Sequence, residues 1–308
     1  MQLQHARRVL LRENRAGLRR RWLALPVALG FAAPFLAAYL VFQVWPIVSG
    51  FQISFYDVSL LGGDWQWVGA TNYIEALTSP DFWSSIWHSS YYTILSTPPH
   101  VVLALGLALL ARRTQRGGAI LRVAIFMPFL LPVTVMAVMW DWIYQPQFGL
   151  LNGALQSLRL PAAAWLANPS TAMPAVAAAS VWWTLGFNFV LYLAGLQAIP
   201  KEVEEASEID GAGAWARLWY ITLPLVKRTT VIVVVLQVLA SLKVFGQIYA
   251  MTNGGPSFAT RPLLQLVYDE GFTSFHLGYA AAISYLYFLI LLAVSIVQFR
   301  IFRQGGET

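Results

Sequence analysis

Between Ile199 and Pro224 the chain sets Lys201, Glu202, Glu204, Glu205, Glu208 and Asp210 close together, then Gly211 and Gly213, then Trp215, Leu218, Trp219 and Thr222. Carboxylates in such a run, with no histidine beside them, are suited to binding rather than to proton transfer. They accept charge-assisted hydrogen bonds from a basic rim on another macromolecule. Pro200 fits a first helical position and the acids complement a helix N-terminus, so a short helix is expected from here to the glycines. Gly211 is expected to take a positive φ and to set the bend. A second helix then places Trp215, Leu218, Trp219 and Thr222 at i, i+3, i+4 and i+7, a mostly apolar stripe ended by Pro224. An amphipathic helix lying on the membrane is the alternative, but five carboxylates would be repelled by an anionic leaflet, so a protein partner is favoured.

Catalytic constellations are missing elsewhere. With no cysteine there is no thiolate nucleophile, disulfide or Cys-ligated metal. His5, His88, His100 and His276 are scattered without metal-ligand spacing, and no Gly-x-x-x-x-Gly-Lys-Ser/Thr phosphate loop occurs.

The elements that must position the 200–224 segment are membrane spans. Of the 308 residues 58% are hydrophobic and 11% charged, and the mean hydropathy is +0.59, which excludes a soluble two-domain enzyme. No Asp, Glu, Lys or Arg occurs in 22–56, 82–111, 160–200 or 271–299. Charge-free apolar runs predict six spans at roughly 23–48, 86–111, 122–144, 172–198, 228–251 and 276–301. The expected organisation is a cytoplasmic Arg-rich tail (1–22), a six-helix membrane domain (23–303) and a short cytoplasmic tail (304–308).

Seventeen of the 20 Lys and Arg residues fall on the tails and on the second-to-third and fourth-to-fifth connections, against only Arg159 and Arg261 on the other side, with Lys243 inside the fifth span. The positive-inside rule then places both termini in the cytoplasm. The basic balance reports orientation and not nucleic acid, although the arginine tail would also attract anionic membrane lipid at about 1 kcal/mol per residue. A cleavable signal peptide does not fit, since the run from Leu23 to Trp45 exceeds a signal-peptide core.

The outer connections combine Trp65, Trp67, Trp83 and Trp165 with acidic residues, as in an aromatic interface belt. Asn253, Gly254, Gly255 and Pro256 form a tight-turn sequence expected to end the fifth helix. Pro128 and Pro132 are expected to kink the third span and free carbonyls. Candidates for a polar path through the bilayer are Trp182, Asn188 and Tyr192 on the fourth span, Lys243, Gln247 and Tyr249 on the fifth, and Tyr285 on the sixth. For each of them helix packing competes with solute contact, because polar groups also join spanning helices.

Glu205-Ala206-Ser207, then Asp210-Gly211-Ala212, then Ile221-Thr222-Leu223-Pro224 resembles the EAA coupling motif of permease subunits in binding-protein-dependent ABC importers. Two more segments resemble the sugar and glycerol-phosphate branch of that family: Phe126 to Pro132 leading to Trp140-Asp141-Trp142 and Gly149-Leu150-Leu151-Asn152, and Ile248 to Pro256 followed by Thr260. Ser207 stands for the usual second alanine, and Gly246 where many relatives have Asp.

The resemblance implies an all-α membrane protein of the type I importer (MetI-like) fold. Its coupling loop at 200–224 would use Glu205, Ala206, Asp210, Gly211, Ala212, Trp215, Leu218, Leu223 and Pro224. Asn253, Gly254, Gly255 and Pro256 would lie in a loop that docks the external binding protein. It further implies a second, homologous permease subunit, two copies of a cytoplasmic ATPase and an extracytoplasmic solute-binding protein. The chain itself would carry no cofactor, ATP and Mg being held by the ATPase subunits. The setting would be the inner membrane, and the function transport of a sugar, sugar phosphate or polyol by alternating access, without enzyme activity of its own. The competing reading is an ion-coupled secondary transporter, which needs buried carboxylates or histidines for an ion relay. An intramembrane enzyme lacks any nucleophile–base pair.

Overall fold

The computed structural model describes residues 30–62, 64–114 and 117–304; the expected tail at 1–22 lies outside them, as does the expected tail at 304–308 apart from Gln304, which ends the last helix. Helix α1 (Gly30–Ile53) shows its whole apolar window unburied by the rest of the chain, a surface that only lipid or another apolar partner can cover. It widens into a π-helical turn at Leu40–Val44, directly before Pro46. A proline lacks the N–H of the regular ladder and its ring clashes with the carbonyl four residues back, and a wide turn relieves both.

Two short antiparallel strands, β1 (Tyr56–Asp57) and β2 (Gln66–Trp67), pair with each other, and Leu277 N–H donates to Val58 O at 2.9 Å, so the connection after α1 is tied to the start of the last span. After α2 (Thr71–Thr78), α3 (Pro80–Arg113) crosses as a single helix and packs along α7 (Pro169–Gln197). The reason is a stripe of small residues. Ala104, Ala108 and Ala111 of α3 are fully buried against Phe189, Tyr192, Leu193 and Leu196 of α7, and small side chains let two backbones approach where lipid offers no hydrophobic drive.

The expected third span is not merely kinked. α4 (Gly118–Phe126) runs into a 3-10 turn at Met127–Leu130, and α5 (Val133–Tyr144) leaves at 99° to it. Pro128 and Pro132 both remove ladder donors, and Leu131, preceding Pro132, is forced into an extended conformation (φ −70, ψ 136). One freed carbonyl is recaptured, since the Trp183 indole N–H donates to Leu131 O at 3.0 Å. After α5 comes α6 (Leu150–Ser157). Its Asn152 donates to Pro146 O and Ala163 O and accepts from Ala163 N–H and Trp165 Nε1–H, closing the second outer connection.

Two short helices follow α7: α8 (Lys201–Ile209) and α9 (Ala214–Leu225). The latter is bent by 64° from α10 (Lys227–Leu242). The expected fifth span, 228–251, is therefore corrected to two pieces. α10 ends at Leu242, Lys243 to Phe245 are non-helical, and α11 (Gly246–Thr252) resumes the path. Gly246 is a poor helix residue, Lys243 stands exposed at the break, and the Tyr287 hydroxyl donates to the freed Leu242 carbonyl.

The connection before the last span continues beyond the expected turn at Asn253–Pro256. It holds α12 (Leu263–Tyr268) and a π-helical turn at Asp269–Thr273 before α13 (Leu277–Gln304). Four of the described helices are each long and apolar enough to cross a membrane, or six spans if each bent pair is one.

Candidate functional site

Residues 200–225 form a helix–turn–helix. Pro200 is the N-cap of α8 rather than its first residue, and Asp210 is the C-cap. Gly211 has φ +78, the conformation expected of it. Its N–H reaches Glu208 O at 3.1 Å and Ala212 N–H reaches Ser207 O at 3.0 Å, the paired bonds of a Schellman C-terminus that satisfy the last carbonyls of α8. Glu205, Ala206 and Asp210 are exposed, whereas Ser207 is 6% exposed. Glu208, itself exposed, forms an ion pair with half-buried Arg217, which ties α8 to α9.

The expected stripe on α9 is divided. A π-helical turn at Leu218–Thr222 precedes Pro224, as one precedes Pro46, and the chain bends two residues after the proline, at Val226. The wider turn rotates the helix face. Thr222 is buried and Leu218 half-buried, while Trp215, Trp219 and Tyr220 are 75%, 61% and 82% exposed. Leu223 is half-buried and Pro224 exposed. Trp215 and Leu218 border a recess of ≈970 Å³ that also touches Leu110 of α3, Gln197 of α7 and Glu205. The arrangement offers an acidic helix, exposed aromatic rings and an adjoining hollow, features suited to contact with a protein surface.

A second set of groups joins the spans. Asn188 Nδ2–H donates to Gln237 Oε1 at 2.7 Å, and Gln237 Nε2–H donates to Ser241 Oγ at 2.9 Å. Ser241 Oγ lies 3.0 Å from Ser96 Oγ. One turn along α3, His100 bonds Ser96 O and Thr184 Oγ1, each at 2.7 Å. Asn188, Gln237, Ser241, Ser96 and His100 are all buried, so this chain of amide, hydroxyl and imidazole groups joins α3, α7 and α10. Asn188 was visible in the sequence as a mid-span amide. Its partners were not singled out, although Gln237 is the one amide in an aliphatic stretch from Val231 to Leu239.

The other pathway candidates are dispersed. Tyr192 is wholly buried between α3, α7 and α10. Tyr285 donates to Ile47 O and meets Phe51 edge-on, so it packs on α1. Trp182 is 38% exposed and stands 5.7 Å, ring to ring, from Trp140. Gln247 donates to the Tyr92 hydroxyl at 3.2 Å, and Tyr249 is 39% exposed.

At the other end of the spans, Asn253 (φ 48) and Gly254 (φ 79) end α11 in left-handed conformation, as the turn sequence predicts. Buried Thr260 closes the turn, with its N–H on Gly254 O at 3.1 Å and its hydroxyl on Gly255 O at 2.7 Å. Asn253 is exposed, Gly254 buried, and Gly255 and Pro256 half-buried, so the open surface of the turn extends to Ser257 and Phe258. Arg261 lies beneath it, 7% exposed, paired with Asp81 at 2.7 Å and set over the Phe258 ring at 4.1 Å. Burial pushes the nearby Asp269 carboxyl up from its ordinary value; the Arg261 charge pulls it down and Glu270 pushes it up. No group of three or more His, Asp or Glu suited to a metal ion occurs among the described residues.

Comparison with known proteins places these features in a family setting. Residues 74–304 match the family described as binding-protein-dependent transport system inner membrane component. A probable ABC transporter permease, YurN of Bacillus subtilis, is 33% identical, with 90% of this chain and 96% of that protein covered. The trehalose/maltose transport system permease MalF of Thermococcus litoralis is 34% identical (88% and 91% covered). The sn-glycerol-3-phosphate transport system permease UgpA of Agrobacterium fabrum is also 34% identical (87% and 92%). Among solved structures, a bacterial ABC transporter involved in import of the acidic polysaccharide alginate has a chain of the same fold. It gives a TM-score of 0.79 at 21% identity, covering 93% of this chain and 96% of that one.

Proposed function

The chain belongs to the binding-protein-dependent transport system inner membrane components, and from that premise we propose that it is a permease subunit of an ATP-driven importer of carbohydrate. Two relatives named for trehalose/maltose and for sn-glycerol 3-phosphate support the solute class. The observation that carries the mechanism is the 200–225 connection. It has a Schellman bend at Gly211, an acidic outer face on α8 and exposed Trp215, Trp219 and Tyr220. In this reading α4 with α5 is one span and α10 with α11 another, so six helices cross the inner membrane, with both termini and residues 200–225 in the cytoplasm. The domains run 1–22, 23–303 and 304–308.

The partners are a second homologous permease, two ATPase subunits that hold ATP and Mg, and an external solute-binding protein. The apolar flank of α1 meets lipid or the second permease. The chain contributes no cofactor and no hydrolytic group. Closure of the ATPases moves α8 and α9, the motion passes through the bend at Val226 into α10, and the polar ties from α10 to α3 and α7 carry it to the other spans.

Labelling tests the arrangement, because the native chain has no cysteine. Ser157→Cys and Ser257→Cys, both exposed on outer connections, are expected to react with an impermeant maleimide added to intact cells. Ala206→Cys is expected to react only after the membrane is opened; position 206 is the proper inner reporter because Ser207 is buried. Reaction of position 206 from outside would reverse the topology and remove the coupling role.

A further inference from the structure

Four aromatic rings form a continuous strip on the outer half of the molecule. Phe245 sits in the break before α11, Tyr249 one turn on, Tyr268 at the end of α12 and Phe272 one turn beyond. Ring centroids are 5.3 Å apart for Phe245–Tyr249, 5.4 Å for Phe245–Tyr268, 5.3 Å for Tyr249–Tyr268 and 5.5 Å for Tyr268–Phe272. The other face of α11 is committed to the core through buried Ile248 and Met251. The strip itself is open, with Tyr249 39% and Phe272 56% exposed.

An ordinary aromatic belt facing lipid is the competing account, and two observations oppose it. A belt lies at one depth, whereas Phe245 and Tyr249, four residues apart at the start of α11, already step the strip by roughly 6 Å at 1.5 Å per residue. Polar groups also accompany the rings. Lys243 is exposed two residues before Phe245, and Asp269 and Glu270 follow Tyr268 at the other end. Charges of this kind are costly against lipid and are normal beside a water-filled path.

Resting on the importer reading above, we propose that Phe245, Tyr249, Tyr268 and Phe272 form a stacking track for a saccharide of two or more pyranose rings entering from the outside. Pyranose rings present apolar C–H faces that lie on aromatic faces and hydroxyl edges that bond phenol, amide and carboxylate groups. The track is two ring-to-ring steps long, which matches a chain of rings better than a single small solute. A phosphate ester fits poorly. Asp269 and Glu270 flank the outer end, and Arg261 is buried in its pair with Asp81, which leaves a phosphate with repulsion where it would enter.

The test uses the complete transporter in proteoliposomes, with its binding protein supplied outside and ATP inside. The probes are maltose, trehalose, maltotriose, sorbitol and glycerol 3-phosphate. At least one of the three saccharides is expected to be imported, and Tyr268→Ala and Tyr249→Ala are expected to lower its maximal import roughly five- to tenfold. Tyr268→Phe, which keeps the ring face and loses only the phenol, should lose clearly less than Tyr268→Ala. Tyr249→Cys, in the cysteine-free chain, should react from outside with a hydrophilic maleimide, more slowly when saccharide-loaded binding protein is present.

Reaction with a membrane-soluble maleimide alone would make the strip a lipid belt, and no reaction with either reagent would make it a contact with the second permease. Either result, or unchanged import in both alanine variants, overturns the proposal. Import of only sorbitol or glycerol 3-phosphate also overturns it while the importer reading stands. A wild-type complex that imports none of the probes sinks the carbohydrate reading and this proposal with it.

Discussion

Gly211→Val is expected to leave the subunit expressed and inserted but to abolish transport. Gly211 has φ +78 and nothing lies within 4 Å of where a Cβ would stand, so the penalty is one of backbone conformation and not of space. A left-handed conformation costs an L-residue roughly 1–2 kcal/mol, and a β-branched residue is an outlier there. The chain escapes by leaving that conformation, which breaks the bonds from Gly211 N–H to Glu208 O and from Ala212 N–H to Ser207 O. Helix α9 then loses its set angle to α8, and Trp215 and the Glu208–Arg217 pair move with it.

Gly211→Asn separates this cause from general damage, because asparagine tolerates the left-handed region; it should keep most of the transport. Glu205→Ala should reduce transport only severalfold, since the exposed aromatic rings remain. The assay is solute uptake and solute-stimulated ATP hydrolysis by the reconstituted complex. Full activity in Gly211→Val would remove residues 200–225 from the coupling path.

The second large effect is expected at Gln237. Its amide accepts from Asn188 and donates to Ser241 within a buried chain of polar groups, and the Asn188 Oδ1 already has no hydrogen-bond partner. Gln237→Leu strands the Asn188 N–H groups, and an abandoned buried polar group costs about 1–3 kcal/mol. Asn188→Leu strands Gln237 in the same way. The double variant removes both ends together, so its cost should fall below the sum of the singles by at least about 0.5 kcal/mol. Thermal unfolding of the purified subunit measures all three. Strict additivity would mean that the two amides do not act on each other, and with it would fall the tie between α7 and α10.

Spans were legible because the sequence withholds charge over long apolar runs, and lipid imposes that pattern whatever the helices do next. The bends were not. Pro128 and Pro132 announce a disturbance but not its 99° size, and the Trp183 contact that captures the Leu131 carbonyl there joins residues far apart in the chain. At Lys243–Phe245 no proline gives warning, and Gly246 is the only local sign that the helix stops.

The Gly211 bend was readable because capping chemistry is local. Asn188 stood out as an amide in a span, yet its partner Gln237 required knowing how two helices are rotated against each other. Tyr249 was noticed for its type. Tyr268 and Phe272 were passed over because only the turn of the last connection was legible, and not α12 with its π-helical extension.

The central claim is that this chain couples ATP hydrolysis to inward movement of a solute delivered by a binding protein. Its most direct test is uptake into proteoliposomes holding the complete complex, measured together with ATP hydrolysis, in the presence and absence of proton and sodium gradients. The account predicts that uptake requires internal ATP and external loaded binding protein, that hydrolysis rises with uptake, and that collapsing both gradients changes neither. Uptake that continues without ATP or binding protein and stops when a gradient is collapsed would contradict it.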